Sequence, residues 1–299
     1  MQDRIFEYRR AAIEDIEELV RTRILVLRAA QKRHSRKYGG DGMRYYQGNG
    51  VYRFLENCEQ RGSFYWTGRN LWLLIYGDEY NEPRVLTVAS GMKLDVQITE
   101  DEKRALNVAK QLTKNTDLPI NFVRFDPAKP FEQVRYWEQG MHTMPVLSDM
   151  DLRERFEQYG LTMNEKRAKK SINDKGSSTY HEWQRTHMGD SILAVDIDLL
   201  RLDNGRISEI IELKRSHKDI KIWEPYEDDY NNFILLSRLA RKTNLDFYIV
   251  YNHRTKKPFM DDVSIVKLFE FDHRTQPYCR YLTSMTIQQF AAVGTTRER

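Results

Sequence analysis

The spacing of hydrophobic positions changes several times along this chain, and each change predicts an element. In AAIEDIEELVRTRILVLRAAQKR (11–33), Ile13, Ile16, Leu19, Val20, Ile24 and Leu27 recur near a 3.6-residue period, with acids early and bases late. That charge order suits the helix dipole, so the stretch is expected to be helical. The glycine-rich RKYGGDGMRYYQGNG after it predicts irregular backbone. NLWLLIYG (70–77) and RVLTVASGMKL (84–94) are apolar runs expected as strands, joined by the loop DEYNEP. Thr99 and Glu102 have capping-box spacing at the head of a helix expected over 99–115, and LPINFVRFD (118–126) is expected as a strand.

The stretch 151–178 is polar. Its first part is expected as a short helix, and its basic remainder, ending in Gly176, Ser177 and Ser178, as a linker. Beyond it come a helix at TYHEWQRT, a hairpin over Ile192–Ser216 and a long amphipathic helix at 226–244. Strands at 245–253 and 263–273 and a terminal helix at 285–293 complete the expected elements. LTKNTDLPINFVRFDPAKP (112–130) aligns with LARKTNLDFYIVYNHRTKKP (239–258), matching Leu112, Thr116, Leu118, Val123 and Lys129 to Leu239, Thr243, Leu245, Val250 and Lys256. Any α/β unit yields such identities. The shared order strand–strand–helix–strand is more telling, and it suggests that the first half is a diverged copy of the second.

The hairpin ILAVDIDLLRLDNGRISEIIELKRS breaks its apolar rhythm with Asp196, Asp198, Glu212 and Lys214. A three-residue turn at Asp203, Asn204 and Gly205 would set Asp196 opposite Glu212, with Asp198 and Lys214 on the same face. Opposite Cβ atoms in such a pair lie roughly 5 Å apart, close enough for two carboxylates to share one cation. Crowded carboxylates raise one another's pKa unless a cation neutralises them, and Mg²⁺ takes oxygen ligands while keeping several waters. A metal there would polarise a phosphoryl oxygen, and Lys214 would stabilise charge developing on phosphate. The constellation is one for phosphodiester hydrolysis.

Bulk properties narrow the setting. The chain has 299 residues, 40% hydrophobic and 31% charged, long enough for two ordinary domains with real cores. No apolar run approaches bilayer length, and the start, MQDRIFEYRR, lacks the apolar core of a secretory signal. Cys58 and Cys279 match no metal spacing and suggest a reducing, cytoplasmic setting. A net charge of +4 is compatible with a nucleic-acid partner.

An Asp, a turn and then Glu212-Leu213-Lys214 on the second strand resembles the PD-(D/E)XK nuclease superfamily. The likeness extends over about 177–273, through a helix before the hairpin and a helix and strand after it. The superfamily's usual proline is absent, with Val195 and Ile197 in the candidate places. The first acid therefore stays open: the pairing register favours Asp196, and the resemblance favours Asp198. The resemblance implies that the acids bind Mg²⁺, with Mn²⁺ as a substitute, and that Lys214 assists hydrolysis of DNA, less often RNA. It further implies a metal role for Glu182, although Thr179-x-x-Glu182 is equally a capping box. Gln184 is a substrate-contact candidate. Arg215, Lys218 and Lys221, just after the E-x-K strand, are candidates for phosphate contacts.

The expected fold is α/β: a mixed sheet flanked by helices, with a restriction-endonuclease-like core in the C-terminal half. The domains are 1–150, an inactive nuclease-like or substrate-binding unit; 151–178, the linker; and 179–299, the nuclease. At the strand equivalent to E-x-K, the first half offers only Ser90, Gly91, Met92 and Lys93. Residues around 8–30 also resemble the first helix of the GNAT acetyltransferases, but the acetyl-CoA loop of that family is missing. The expected partner is nucleic acid, not membrane, bound by a homodimer or an internal pseudo-dimer. The alternative is a non-catalytic nucleic-acid-binding protein that keeps a relic nuclease fold.

Overall fold

The structure, a computed structural model, describes residues 49–68, 70–168, 178–256 and 260–293. Chain contacts divide it into Met1–Arg44 and Tyr45–Arg299. The first unit, and with it the helix expected over 11–33, lies outside the described residues; so does the last part of the expected linker. Everything below concerns the second unit.

Its first run of elements is α1 (Gly50–Glu56), β1 (Phe64–Tyr65), β2 (Leu71–Gly77), β3 (Pro83–Gly91), α2 (Glu100–Thr113), β4 (Ile120–Phe125), β5 (Gln133–Glu138), β6 (Val146–Ser148) and α3 (Asp149–Glu157). A second run follows with α4 (Thr179–His187), β7 (Leu193–Asp196), β8 (Leu199–Asp203), β9 (Arg206–Ser216), α5 (Tyr230–Lys242), β10 (Asp246–Arg254), β11 (Asp261–Phe271), β12 (Cys279–Thr286) and α6 (Ile287–Val293). The architecture is α/β with two mixed six-stranded sheets, ordered β6-β5-β4-β3-β2-β7 and β1-β8-β9-β10-β11-β12. The expected mixed sheet flanked by helices is thus present twice among the described residues.

The two sheets share one pattern of directions. In each, a hairpin of antiparallel strands (β2–β3; β8–β9) is followed by a strand parallel to the hairpin's second member, then by two antiparallel strands. The parallel step needs a crossover, which α2 and α5 supply. The short strand ahead of each hairpin joins the other sheet's edge: β1 pairs Tyr65 with Leu200, and β7 pairs Asp196 with Leu74. The expected halves 1–150 and 179–299 therefore each contribute one strand to the other's sheet.

Burial follows this layering. β2 is buried at every position because both its faces are covered, which explains its unbroken apolar run. Leu73, Ile75 and Val88 from one sheet and Leu200, Ile210 and Ile249 from the other form one core with Leu112 of α2 and Phe233 and Leu236 of α5. The crossover helices therefore lie between the sheets. On the outer face of the β2–β7 sheet, α3 and α4 cover Trp72 and Tyr76 with Phe156, Tyr180 and Trp183. On the outer face of the β8–β12 sheet, α1 and α6 cover Ile211, Leu213 and Val250 with Val51, Leu55 and Phe290. Each fully buried Leu, Ile or Phe contributes roughly 1.5–3 kcal/mol by removal from water.

Local chemistry sets the helix starts. Thr99 and Glu102 form the expected capping box on α2, and Ser148 with Asp151 forms another on α3. The sequence pattern missed α1, α3's cap and the strands β5, β6 and β12. β12 is an edge strand with many exposed positions, so its sequence carries no apolar stripe.

Candidate functional site

The hairpin departs from its expected register. Asp203 pairs with Arg206 across a two-residue turn, with Asn204 at φ 50° and Gly205 at φ 77°. Positive φ at both central residues is the type I′ geometry that asparagine and glycine favour. The ladder then shifts: Leu202 pairs with Ile207, but Arg201 pairs with Glu209, leaving Ser208 as the extra residue of a bulge. The bulge restores the parity that a two-residue turn alone would lose. From Leu199 opposite Ile211, the next step sets Asp198, not Asp196, level with Glu212.

Asp198 lies where the chain leaves one sheet for the other, between β7 and β8. Its Oδ2 accepts the Leu213 N–H at 2.9 Å, and its backbone carbonyl accepts the Tyr52 hydroxyl of α1 at 2.8 Å. Glu212 and Lys214 alternate with the outward Ile211 and Leu213, so both face the inner layer beneath α5. The Lys214 ammonium is 3.1 Å from Glu212 Oε1 and 3.3 Å from Asp229 Oδ2, and it lies 5.1 Å from the centre of the Phe233 ring. Burial, then the Glu212 carboxylate, push the Asp198 carboxyl well above its ordinary range; the Leu213 N–H opposes them. Burial alone would lower the pKa of Lys214, but Glu212 and then Asp229 outweigh it and raise it.

The other expected site residues fall elsewhere. Asp196 is in β7, opposite Leu74 and therefore on the outer face of the other sheet; it reaches Asp198 only as a weaker like charge. The expected pairing of Asp196 with Glu212 is corrected by the chain's switch between sheets. Glu182 is on α4, over the outer face of the β2–β7 sheet, where it pairs with Arg167 and, at 3.8 Å, with Arg185. It is not brought to Asp198 and Glu212. Gln184 is buried and donates to the Tyr76 hydroxyl, because α4's apolar side turns it into the core rather than toward a substrate. Arg215, one residue past Lys214, points to the opposite face. There it pairs with buried Asp261 at 2.7 Å, and Asp261 also accepts the Gly50 N–H that starts α1. The Arg215 side chain is 8% exposed there, so its guanidinium is turned into the protein.

Lys218 and Lys221 are exposed on the loop after β9, with the Lys218 ammonium 5.3 Å from the Tyr226 ring centre. The loop itself is pinned: Lys267 donates to the Trp223 carbonyl at 2.8 Å, and Trp223 stacks on Tyr251 at 4.0 Å. Asp229 and Tyr52 are the site neighbours that sequence reasoning did not single out. Asp229 sits in the acidic run EDD that precedes α5, a signal that reads as a helix start.

A divalent cation can be tested against this donor set. Among the described residues no group of three or more His, Cys, Asp or Glu side chains is placed to hold a metal ion. Asp198 and Glu212 nonetheless supply carboxylate oxygens whose mutual repulsion a cation would relieve. Mg²⁺ is ordinarily held by one or two carboxylates and several waters, so this pair fits it in donor type and number, although Glu212 is buried and already paired with Lys214.

The matching position on the other sheet is filled differently. With Val123 matched to Val250, the parallel pairs Ser90–Arg124 and Lys214–Tyr251 correspond, so Ser90 takes the place of Lys214 and Val88 that of Glu212. The same spacing matches Glu102, in the first turn of α2, to Asp229, just ahead of α5. Glu102 is buried and bound by Arg124 at 2.6 and 2.9 Å and by the Ser90 hydroxyl at 2.7 Å. There an arginine occupies the inner face that Glu212 and Lys214 hold in the second sheet. Among the described residues no helix is long and apolar enough to cross a membrane. No family model, curated protein or solved structure matches the chain.

Proposed function

We propose that this protein is a metal-dependent nuclease that hydrolyses phosphodiester bonds in DNA. One observation carries the reading: Asp198 accepts the Leu213 N–H between Glu212 and Lys214 and feels both their charges, while Lys214 pairs with Glu212 at 3.1 Å. In this reading Asp198 and Glu212 hold Mg²⁺ or Mn²⁺. The bound metal supplies Lewis acidity toward a phosphoryl oxygen and a water of lowered pKa. Lys214 presents a fixed positive charge to the phosphate as negative charge builds on its oxygens. The Leu213 N–H holds Asp198 in place, and Tyr52 fixes the backbone at that residue. Lys218 and Lys221 sit on the pinned loop next to the site, suited to contact the phosphate backbone.

The same reading takes the second run of elements as a restriction-endonuclease-like core and the first run as its diverged, inactive copy. The shared order of strand directions supports this, as does the Glu102–Arg124 pair at the place matching the site. The molecule is then an internal pseudo-dimer with one active half.

The test is incubation of the full chain with supercoiled plasmid, linear duplex, single-stranded DNA and RNA, each with Mg²⁺, Mn²⁺ or EDTA. Cleavage that needs the metal and disappears in Glu212→Gln supports the proposal. Nucleic-acid binding without cleavage under every condition would replace it with the relic-fold reading. Cleavage that persists in EDTA would overturn the metal role.

A further inference from the structure

Asp229 ends a 3-10 turn, Glu227–Asp229, that runs directly into α5, and its backbone is already helical at φ −91° and ψ −5°, unlike the extended backbone of a capping residue. Its side chain makes no capping bond. Its carboxylate instead approaches the Lys214 ammonium while remaining 33% exposed. Lys214 is thus held between an acid from its own strand and an acid from the start of the next helix. The first of these, Glu212, has a second duty under the nuclease reading, on which this inference rests. A carboxylate that turns to a dication has less charge to offer a neighbouring ammonium.

We propose that Asp229 is the positioning residue of the site: it keeps Lys214 in place when Glu212 serves the metal, and it does not touch the metal itself. Three features of the structure favour this role. The carboxylate makes no hydrogen bond to the start of the helix and lies 3.3 Å from the Lys214 ammonium. The Phe233 ring backs the ammonium from the same helix, so helix and anchor act as one rigid support. In the first half Glu102, in the first turn of α2, likewise pairs with a cation, Arg124, on the inner face of its sheet.

The experiment compares the full-length wild type with Asp229→Asn, Asp229→Glu and, as a control on a neighbouring exposed acid, Asp228→Asn. It reads kcat and KM on duplex DNA, the Mg²⁺-induced rise in melting temperature, and acylation of Lys214 by an amine-reactive ester, mapped by peptide mass spectrometry. Asp229→Asn is expected to lose about 10- to 100-fold in kcat, the usual cost of removing an outer support. KM should stay within about twofold, since ground-state binding is not touched. The Mg²⁺ rise should persist, Lys214 should label faster in Mg²⁺, and Asp229→Glu should recover most of both losses. Asp228→Asn should match wild type. Unchanged kcat and labelling in Asp229→Asn would overturn the proposal, as would loss of its Mg²⁺ rise, which would make Asp229 a ligand. If the wild type cleaves nothing, the nuclease reading fails on its own, and the labelling alone then decides whether Asp229 anchors the lysine.

Discussion

Asp198→Asn should raise the stability of the metal-free protein and lower that of the metal-loaded one. The substitution keeps the shape of the side chain, and an amide oxygen can still accept the Leu213 N–H that Asp198 accepts at 2.9 Å. What it removes is a negative charge set beside Glu212. Two unit charges about 5 Å apart repel by roughly 3 kcal/mol at an effective dielectric of about 20. Lys214 offsets part of this, but its ammonium is paired with Glu212 and Asp229, and no ion pair joins it to Asp198 among the described residues. The net gain in the variant should be about 1–2 kcal/mol. For a unit of this size that is a rise of roughly 2–8 °C in melting temperature.

The pH dependence has a definite sign. The folded-state pKa of Asp198 is raised, so folding favours its protonated form. Its burden is absent below the unfolded carboxylate pKa of about 3.9 and grows as pH rises toward the folded value. The variant's advantage in EDTA should therefore be near zero at about pH 4 and increase with pH. Mg²⁺ reverses the order. A ligand at a hundred times its Kd stabilises the native state by about 2.7 kcal/mol, and Asp198→Asn should lose most of that rise. Thermal unfolding in EDTA and in Mg²⁺, across pH, gives all of these quantities. If the variant melts below wild type in EDTA at pH 8, or if Mg²⁺ raises both proteins equally, the two carboxylates do not share a cation.

Other outcomes follow from the same geometry. Lys214→Ala should lose roughly 10²–10³-fold in kcat, as when one donor to a developing oxyanion is removed; its Mg²⁺-induced melting rise should remain, and wild-type rates would remove Lys214 from the chemistry. Arg124→Met should destabilise by about 3–5 kcal/mol because it strands the buried Glu102 carboxylate. The pKa of Glu102 is lowered despite its burial, chiefly by Arg124 and Ser90. The stability it contributes in wild type should be present above the unfolded pKa of about 4.3 and be lost as pH falls, so the wild-type advantage over Arg124→Met in urea melts should shrink in acid. Arg215→Ala should cost less, about 1–3 kcal/mol, because Arg254 at 3.7 Å and the Gly50 N–H still face Asp261, while leaving the salt dependence of DNA binding unchanged, whereas Lys218→Ala with Lys221→Ala should flatten that dependence by about two counterions. A flatter salt slope in Arg215→Ala would return that residue to the phosphate interface.

Much of this molecule is legible along the chain. β2 and β4 announce themselves as apolar runs because both their faces are covered, and the α2 cap is written in Thr99 and Glu102. The polar interruptions at Asp198, Glu212 and Lys214 stand out because charges inside buried strands are costly without partners, and the Asn204–Gly205 turn follows from the backbone freedom those residues have. The shared order of elements in the two halves is also visible from residue pattern alone. Tertiary structure decided which acid lies level with Glu212. The two-residue turn and the bulge at Ser208 each move the register by one residue, and the chain's passage between sheets carries Asp196 away; the two shifts together leave the period-two pattern that sequence reasoning reads unchanged. The fates of Glu182, Gln184 and Arg215 depend on which sheet α4 covers and which face α1 occupies, and those are long-range packing choices. Asp229 reads locally as a helix start, and only the fold brings it to Lys214, because sequence records what each residue is and packing alone determines what it meets.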